Sequence, residues 1–540
     1  MKFLLVLCLA AAAAGAQPVS SERLRAHVQF LASDLLEGRG VGTRGGALTE
    51  EYLATQFALA GAEPAGENGT YFQAVPLVGV RTDGSPELTA TAGGRTVTLR
   101  WLDDFAGVNR LQTPSETIDS GAVFAGHGIH APEFGWDDYK GTDVRGKVVL
   151  LFTNEPESAD PKFFGGRALT YYGRWTYKYE EATRRGARAV LLLHTTETAS
   201  YGWDVVRNSW GSEDAMVRRA ADTHDLALAG WVTQDAARRM LSLAGHDFEA
   251  LWKASRERAF QPVALPLRIR GEVRSRIRDI ESRNVVARVT GSDPELAGQA
   301  VIYSAHWDHL GLAESGDGDR IYNGAVDNAT GCAVLLELAR AWASLPLKPR
   351  RSALFLAVTA EENGLRGSDY YTRQPLVPPG QTVAALNYDA LWPFGRTADI
   401  VVAGAERTTL WPLVRQVAER MTLAIAPDPR PEAGSYYRSD HFSFARAGIP
   451  AFSIRSGREF RGKPADFGDT VARDYVARHY HQPSDEYRED WDFSGIEELA
   501  VFGMRVGVEA ANQKALSSWN PGDEFLPARE RSLMAPSGAK

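Results

Sequence analysis

The 540-residue sequence is poor in cysteine, in basic excess and in long apolar runs, and each shortage excludes a class of protein. Its two cysteines are Cys8 and Cys332. Cys8 falls in a leading segment expected to be removed, so an intramolecular disulfide is excluded and a reduced, buried Cys332 is expected. Lys and Arg total 60 against 68 Asp and Glu, a net charge of −8. That balance argues against nucleic acid or an anionic membrane surface as the main partner, because both require a basic face. The apolar run Phe3–Ala14 is too short to span a bilayer. Lys2 before it and the small residues Ala14, Gly15 and Ala16 after it predict a secretory signal peptide cut after Ala16, and a secreted or periplasmic location. Bulky Leu7 before Cys8 argues against a lipoprotein anchor. No solenoid repeat is visible, and no Gly-rich phosphate loop.

What is present is ordinary globular material, 44% apolar and 24% charged, long enough for two or three domains. Leu24, Val28, Leu31 and Leu35 predict a helix over 21–36, broken by the Gly-rich stretch 38–46. A second helix, capped by Thr49, is expected to run to Ala60. Strand-like runs follow at 87–90 and 95–99. From about residue 120 the runs 122–125, 147–152 and 189–194 read as buried strands of a separate small module. The charged stretch 268–283 reads as its exit linker. From Asn284 strands at 284–289, 300–304, 353–358 and 383–387 alternate with helical segments, the clearest at 331–343. That rhythm predicts a largely parallel sheet with helices on both faces and ligands at the carboxyl ends of its strands. The last dozen residues read as loose.

Five segments place His or acidic residues just beyond a strand or in a loop: 304–311 with His306 and Asp308, 323–331 with Asp327, 359–364 with Glu361 and Glu362, 387–389 with Asp389, and 480–485 with Tyr480 and His481. Each alone has a bland reading as a surface histidine, a helix start or a turn. Together they converge several ionisable groups on one crevice, where unpaired buried charge is costly and bound cations remove the cost. Two imidazoles with three or four carboxylates and no thiolate set suit a pair of zinc ions.

These motifs, in this order, resemble the co-catalytic zinc exopeptidases, the family of secreted bacterial aminopeptidases and glutamate carboxypeptidase II. The resemblance implies that His306 binds one zinc and Asp308 orients it, that Asp327 bridges both metals, and that Asp389 and His481 complete the ligands. It implies Glu361 as general base and Glu362 as ligand. Neighbouring side chains alternate on an extended segment, so Glu361 is expected to point away from Glu362 and to shuttle the proton of a water between two metals about 3.5 Å apart. Tyr480 matches the position whose hydroxyl stabilises the oxyanion. Arg438 and His441, in a segment resembling a pocket loop, are candidates for substrate contact, with an Arg438–Asp440 ion pair as the alternative for Arg438. His309 and His479 are weaker candidates.

The expected division is a signal peptide over 1–16, the N-terminal part of a peptidase domain over 17–115, and an inserted protease-associated domain over 116–278. The zinc peptidase domain follows over 279–515, with a tail over 516–540. The expected function is removal of N-terminal residues from peptides by a metal-activated water. A carboxypeptidase or dipeptidase using the same two zinc ions is the alternative; an inactive binding scaffold is disfavoured because every ligand position is filled. A peptide is the expected partner, with neither nucleic acid nor a membrane span.

Overall fold

The computed structural model describes residues 19–535 apart from 161, 200, 221–222 and 314–317. The expected signal peptide therefore lies outside the described residues. Among them no helix is long and apolar enough to cross a membrane.

The centre of the molecule is a mixed sheet whose middle four strands, Ser352–Val358, Ala300–His306, Thr382–Asn387 and Ala451–Ser456, run parallel in that order. Their side chains alternate between two cores, as the pleat requires. Val301, Tyr303 and Ala305 face one side with helices Ser21–Leu31, Thr330–Ala343 and Ser494–Ala511, while Ala300 and Ile302 face the other with helix His441–Arg446. Burial on both faces explains why these strands read as continuous apolar runs. The expected α/β architecture with helices on both faces is the one observed, and Cys332 is free and buried.

A second, smaller sheet has its own apolar cores, built around Val148–Phe152, Ala189–Leu193 and Leu228–Val232. Its limits differ from those expected. Strands Glu87–Ala92, Arg95–Arg100 and Phe105–Val108, expected in the N-terminal part of the peptidase domain, pair within this sheet. Asp214–Val217, expected inside the insert, pairs instead with Phe72–Thr82 of the central sheet. The stretch expected as a linker is the middle of one strand, Val263–Val289. Its first half pairs with Ser115–Phe124 in the small sheet and its second half with Phe72–Thr82 and Ser352–Val358 in the central one. Charge count misleads here because the strand alternates. Leu267, Ile269 and Val273 are buried, while Arg268, Arg270 and Arg274 stand outward and pair with Asp119 and Glu272. Period two, not polarity, is the strand signal.

Smaller corrections follow the same logic of tertiary contact. The first helix stops at Leu31, leaving Leu35 exposed. The second spans Arg44–Leu59, capped by the Thr43 hydroxyl, which accepts from Gly46 N–H at 3.2 Å; Thr49 lies inside it. Gly45 is in this helix because a Cβ there would sit 1.8 Å from Leu36 O. The stretch 517–529, expected as part of a tail, is packed. Trp519 is buried, and Arg529 in helix Leu526–Met534 donates to the carbonyls of Ser517, Pro379 and Thr382.

One buried cation joins the N-terminal helices to the loops beyond the central strands. Arg39, 1% exposed, donates to the carbonyls of Leu31, Trp307, Asn323 and Gly324 at 2.5–2.9 Å. Arg39→Met would leave four buried acceptors without a charged donor, and urea unfolding is expected to show a loss of ~3 kcal/mol. An unchanged midpoint would contradict this role.

Candidate metal centre

The carboxyl ends of the parallel strands deliver the predicted residues to one place. His306 is the last residue of Ala300–His306. Its Nδ1 lies 3.1 Å from the Asp308 carbonyl oxygen, which assigns the proton to Nδ1 and turns Nε2 toward Asp327 Oδ1 at 3.1 Å and Asp389 Oδ1 at 3.2 Å. On the other side of Asp327, His481 Nε2 is 3.7 Å from its Oδ2 and 2.9 Å from Glu362 Oε2. The five expected ligands thus form two arms, His306 with Asp389 and Glu362 with His481, joined by Asp327.

Local backbone fixes each arm. The carboxylate of Asp485 accepts the N–H groups of Val326 and Asp327, both at 3.0 Å, and holds the loop that presents Asp327. Ala360, Ala390 and His481, each beside or at a ligand position, adopt positive φ of 52°, 52° and 57°. Non-glycine residues enter this region only where the surroundings over-determine them.

Two expected details differ. Glu361 and Glu362 follow Ala360 into a tight turn rather than an extended segment, so both side chains reach the cluster. Glu361 Oε2 is 4.0 Å from His306 Nε2. The Asp308 carboxylate does not hold His306, since Oδ1 is 3.9 Å from Nδ1. It accepts the N–H of Glu361 at 3.1 Å and of Glu362 at 3.4 Å, and so fixes that turn.

The electrostatics are those of crowded, buried charge. Burial lowers the basicity of His306 and His481, but Glu361 and Asp389 beside the first, and Glu362 beside the second, outweigh it and hold both well above the usual imidazole range. Burial raises Asp327, yet its contacts with the two imidazoles bring it well below the carboxylate range; Glu362 falls to about 2, where His481 outweighs burial. Glu361 goes the other way, raised by burial and by Glu362, Asp389 and Asp440. The acids that hold these imidazole protons are the ones that would hold a cation.

A metal fits this donor set. His306, Asp327 and Asp389 offer ligand atoms within 4.8 Å of one another, as do His309, Asp327 and Glu362. Both nitrogens of His481 and Nε2 of His309 are buried without a hydrogen-bond partner. Close imidazole and carboxylate atoms without hydrogen-bond geometry suit donors aimed at a shared ion. Nitrogen and oxygen donors without thiolate match zinc.

Around the cluster the substrate candidates divide. Tyr480 stacks on His481 with ring centroids 3.9 Å apart and, with Arg438, lines the cavity that also contains Glu361 and Glu362. Arg438 makes no ion pair with Asp440, whose two carboxylate oxygens are buried without partners. His441 does not join the cavity. It is buried against Tyr436, its ring 4.8 Å away, because the helix His441–Arg446 turns it inward. His479 bonds Ser484 at the surface. His309 lies closer than expected, with Nδ1 2.7 Å from Glu362 Oε1. Sequence reasoning assigned no role to Arg39 or Asp485; Asp485 had the signal of an acid within a ligand segment, whereas Arg39 had none.

A mixed sheet carrying an imidazole–carboxylate cluster at the ends of its parallel strands defines an α/β domain with a candidate metal site. Residues 284–500 match the model of peptidase family M28. The fold resembles the aminopeptidase from Aneurinibacillus sp. strain AM-1, with a TM-score of 0.52 and 19% identity over 94% of this chain and 97% of that one. A leupeptin-inactivating enzyme of Streptomyces exfoliatus is 28% identical over 37% of this chain and 42% of its own length. A vacuolar membrane protease of Lachancea thermotolerans is 37% identical over 19% of this chain and 10% of its own. The chain thus spans less than half the length of these two curated relatives.

His481→Ala is expected to weaken zinc binding at least tenfold in competition with a chelating dye, and Glu362→Gln to weaken it similarly. Unchanged affinity in both would remove the second arm from the centre.

Proposed function

We propose that this chain is a zinc-dependent aminopeptidase with two zinc ions per chain, removing residues from the amino end of peptides. The observation that carries this reading is the Asp327 carboxylate lying between the His306–Asp389 and Glu362–His481 arms, with Glu361 beside them on an open cavity. When bound there, a zinc pair polarises a peptide carbonyl and lowers the pKa of water.

The chain's own residues do the rest. Glu361 takes the proton of the attacking water and returns it to the leaving amine; its carboxylate lies beside the cluster, 4.0 Å from His306 Nε2, and lines the cavity. The Tyr480 hydroxyl, in the cavity wall beside His481, donates to the oxyanion. Asp308 keeps the Glu361–Glu362 turn in register. The acidic rim accepts the substrate's ammonium group. The name of one curated relative, a vacuolar membrane protease, accords with peptide hydrolysis. The smaller sheet acts in this reading as a protease-associated lid, and the segment 1–16 directs export with cleavage after Ala16.

Glu361→Gln is expected to retain zinc but lose ~10²-fold or more in kcat. Wild-type turnover in the variant would dismiss Glu361 as the base. A free-amine peptide should be cleaved far faster than its N-acetyl twin, and equal cleavage of the two would overturn the aminopeptidase reading.

A further inference from the structure

The cavity of about 500 Å³ beside the metal centre is walled by both sheets' units, and its arginines are of two kinds. Five have acidic partners: Arg110 with Asp225 at 3.0 Å, Arg184 with Glu181 at 2.7 Å, Arg366 with Asp214 at 3.9 Å, Arg446 with Glu180 at 3.2 Å and Arg373 with Asp369 at 2.6 Å. Arg174 and Arg438 differ. Among the described residues neither guanidinium donates a side-chain hydrogen bond or has a carboxylate within 4.0 Å, and Arg174 Nε is buried with no partner.

The two cations face each other's field. Arg174 closes the loop before helix Trp175–Arg184 in the smaller unit, and Arg438 follows the turn Ser435–Tyr437 in the peptidase unit. Burial, then the charge of Arg438, pushes Arg174 down to about 10, and the other groups acting on it are the phenols Tyr201, Tyr171 and Tyr480. The Arg438 guanidinium lies 5.9 Å from the centre of the Tyr201 ring. Like charges held together in a half-buried wall without an acid are costly unless an anion joins them. The position is near the chemistry, since Tyr480, which feels Arg438, stacks on the candidate ligand His481.

We infer that Arg174 and Arg438 form a carboxylate-binding pair that selects peptides carrying an anionic group close to the scissile bond. Two guanidinium forks suit a carboxylate by charge and by paired N–H geometry. The group comes either from the free carboxyl terminus of a dipeptide or from an acidic side chain next to the cleaved bond. This inference rests on the hydrolytic reading above and adds the substrate class. It also gives the smaller unit a part in selection, because Arg174 belongs to it.

The test uses the zinc-loaded enzyme and four probes: Leu-Ala, Leu-Ala-amide, Leu-Glu-amide and Glu-Ala-amide. A terminal carboxylate as the selected group predicts kcat/KM for Leu-Ala at least tenfold above Leu-Ala-amide, mostly through KM. A side chain as the source predicts that advantage for one of the two Glu amides instead. In Arg174→Gln and in Arg438→Gln the advantage should collapse toward onefold. Equal kcat/KM for all four wild-type reactions, or an advantage unmoved by both substitutions, overturns the pair. Calorimetric titration of the Glu361→Gln protein with Leu-Ala, Leu-Glu-amide, Glu-Ala-amide and Leu-Ala-amide separates this inference from the hydrolytic one. Tighter binding of a carboxylate-bearing probe upholds the pair even if no probe is cleaved, and equal binding of all four sinks it whatever the turnover.

Discussion

The structure depends on one constraint, the burial of carboxylates and imidazoles against one another at the ends of the central strands. Asp327, Glu361, Glu362 and Asp389 meet His306, His309 and His481 at buried and half-buried positions. Such a cluster is tolerable only if opposite charges interlock or a cation neutralises it. The supporting structure reads as a consequence. Asp308 and Asp485 spend their oxygens on the backbone N–H groups of the ligand loops, and Arg39 ties those loops to the first helices through four carbonyls. Their side chains shape the backbone that aims the ligands.

The central sheet was legible because its strands are buried on both faces and therefore apolar throughout. The five candidate ligand segments were legible because each follows such a strand or lies in a loop with a distinctive pattern. Their order along the chain, rather than any single residue, carried the reading. What the sequence left open is what tertiary contact decides. Glu361 and Glu362 share a turn because Ala360 takes a left-handed conformation, which residue type does not announce. Asp308 serves the backbone rather than His306 because its own carbonyl already meets Nδ1. His441 faces the core although it borders a pocket residue.

The boundary between the two sheets was misread for a related reason. An outward row of arginines hid the alternation of a strand that serves both sheets. That strand makes the two units mechanically continuous, so excising 116–278 would cut the central sheet as well as the smaller one. The same continuity holds the wall that contains Arg174 against the one that contains Arg438. Their juxtaposition was invisible in the sequence because the two residues belong to different units.

The central proposal is that His306 with Asp389 and Glu362 with His481, on either side of Asp327, would hold two metal ions. Anomalous diffraction at the zinc edge, from crystals of the purified protein, tests it most directly. The account predicts two peaks about 3.5–4 Å apart, one beside His306 and Asp389 and the other beside Glu362 and His481. A single peak, or peaks that do not flank Asp327, would contradict it.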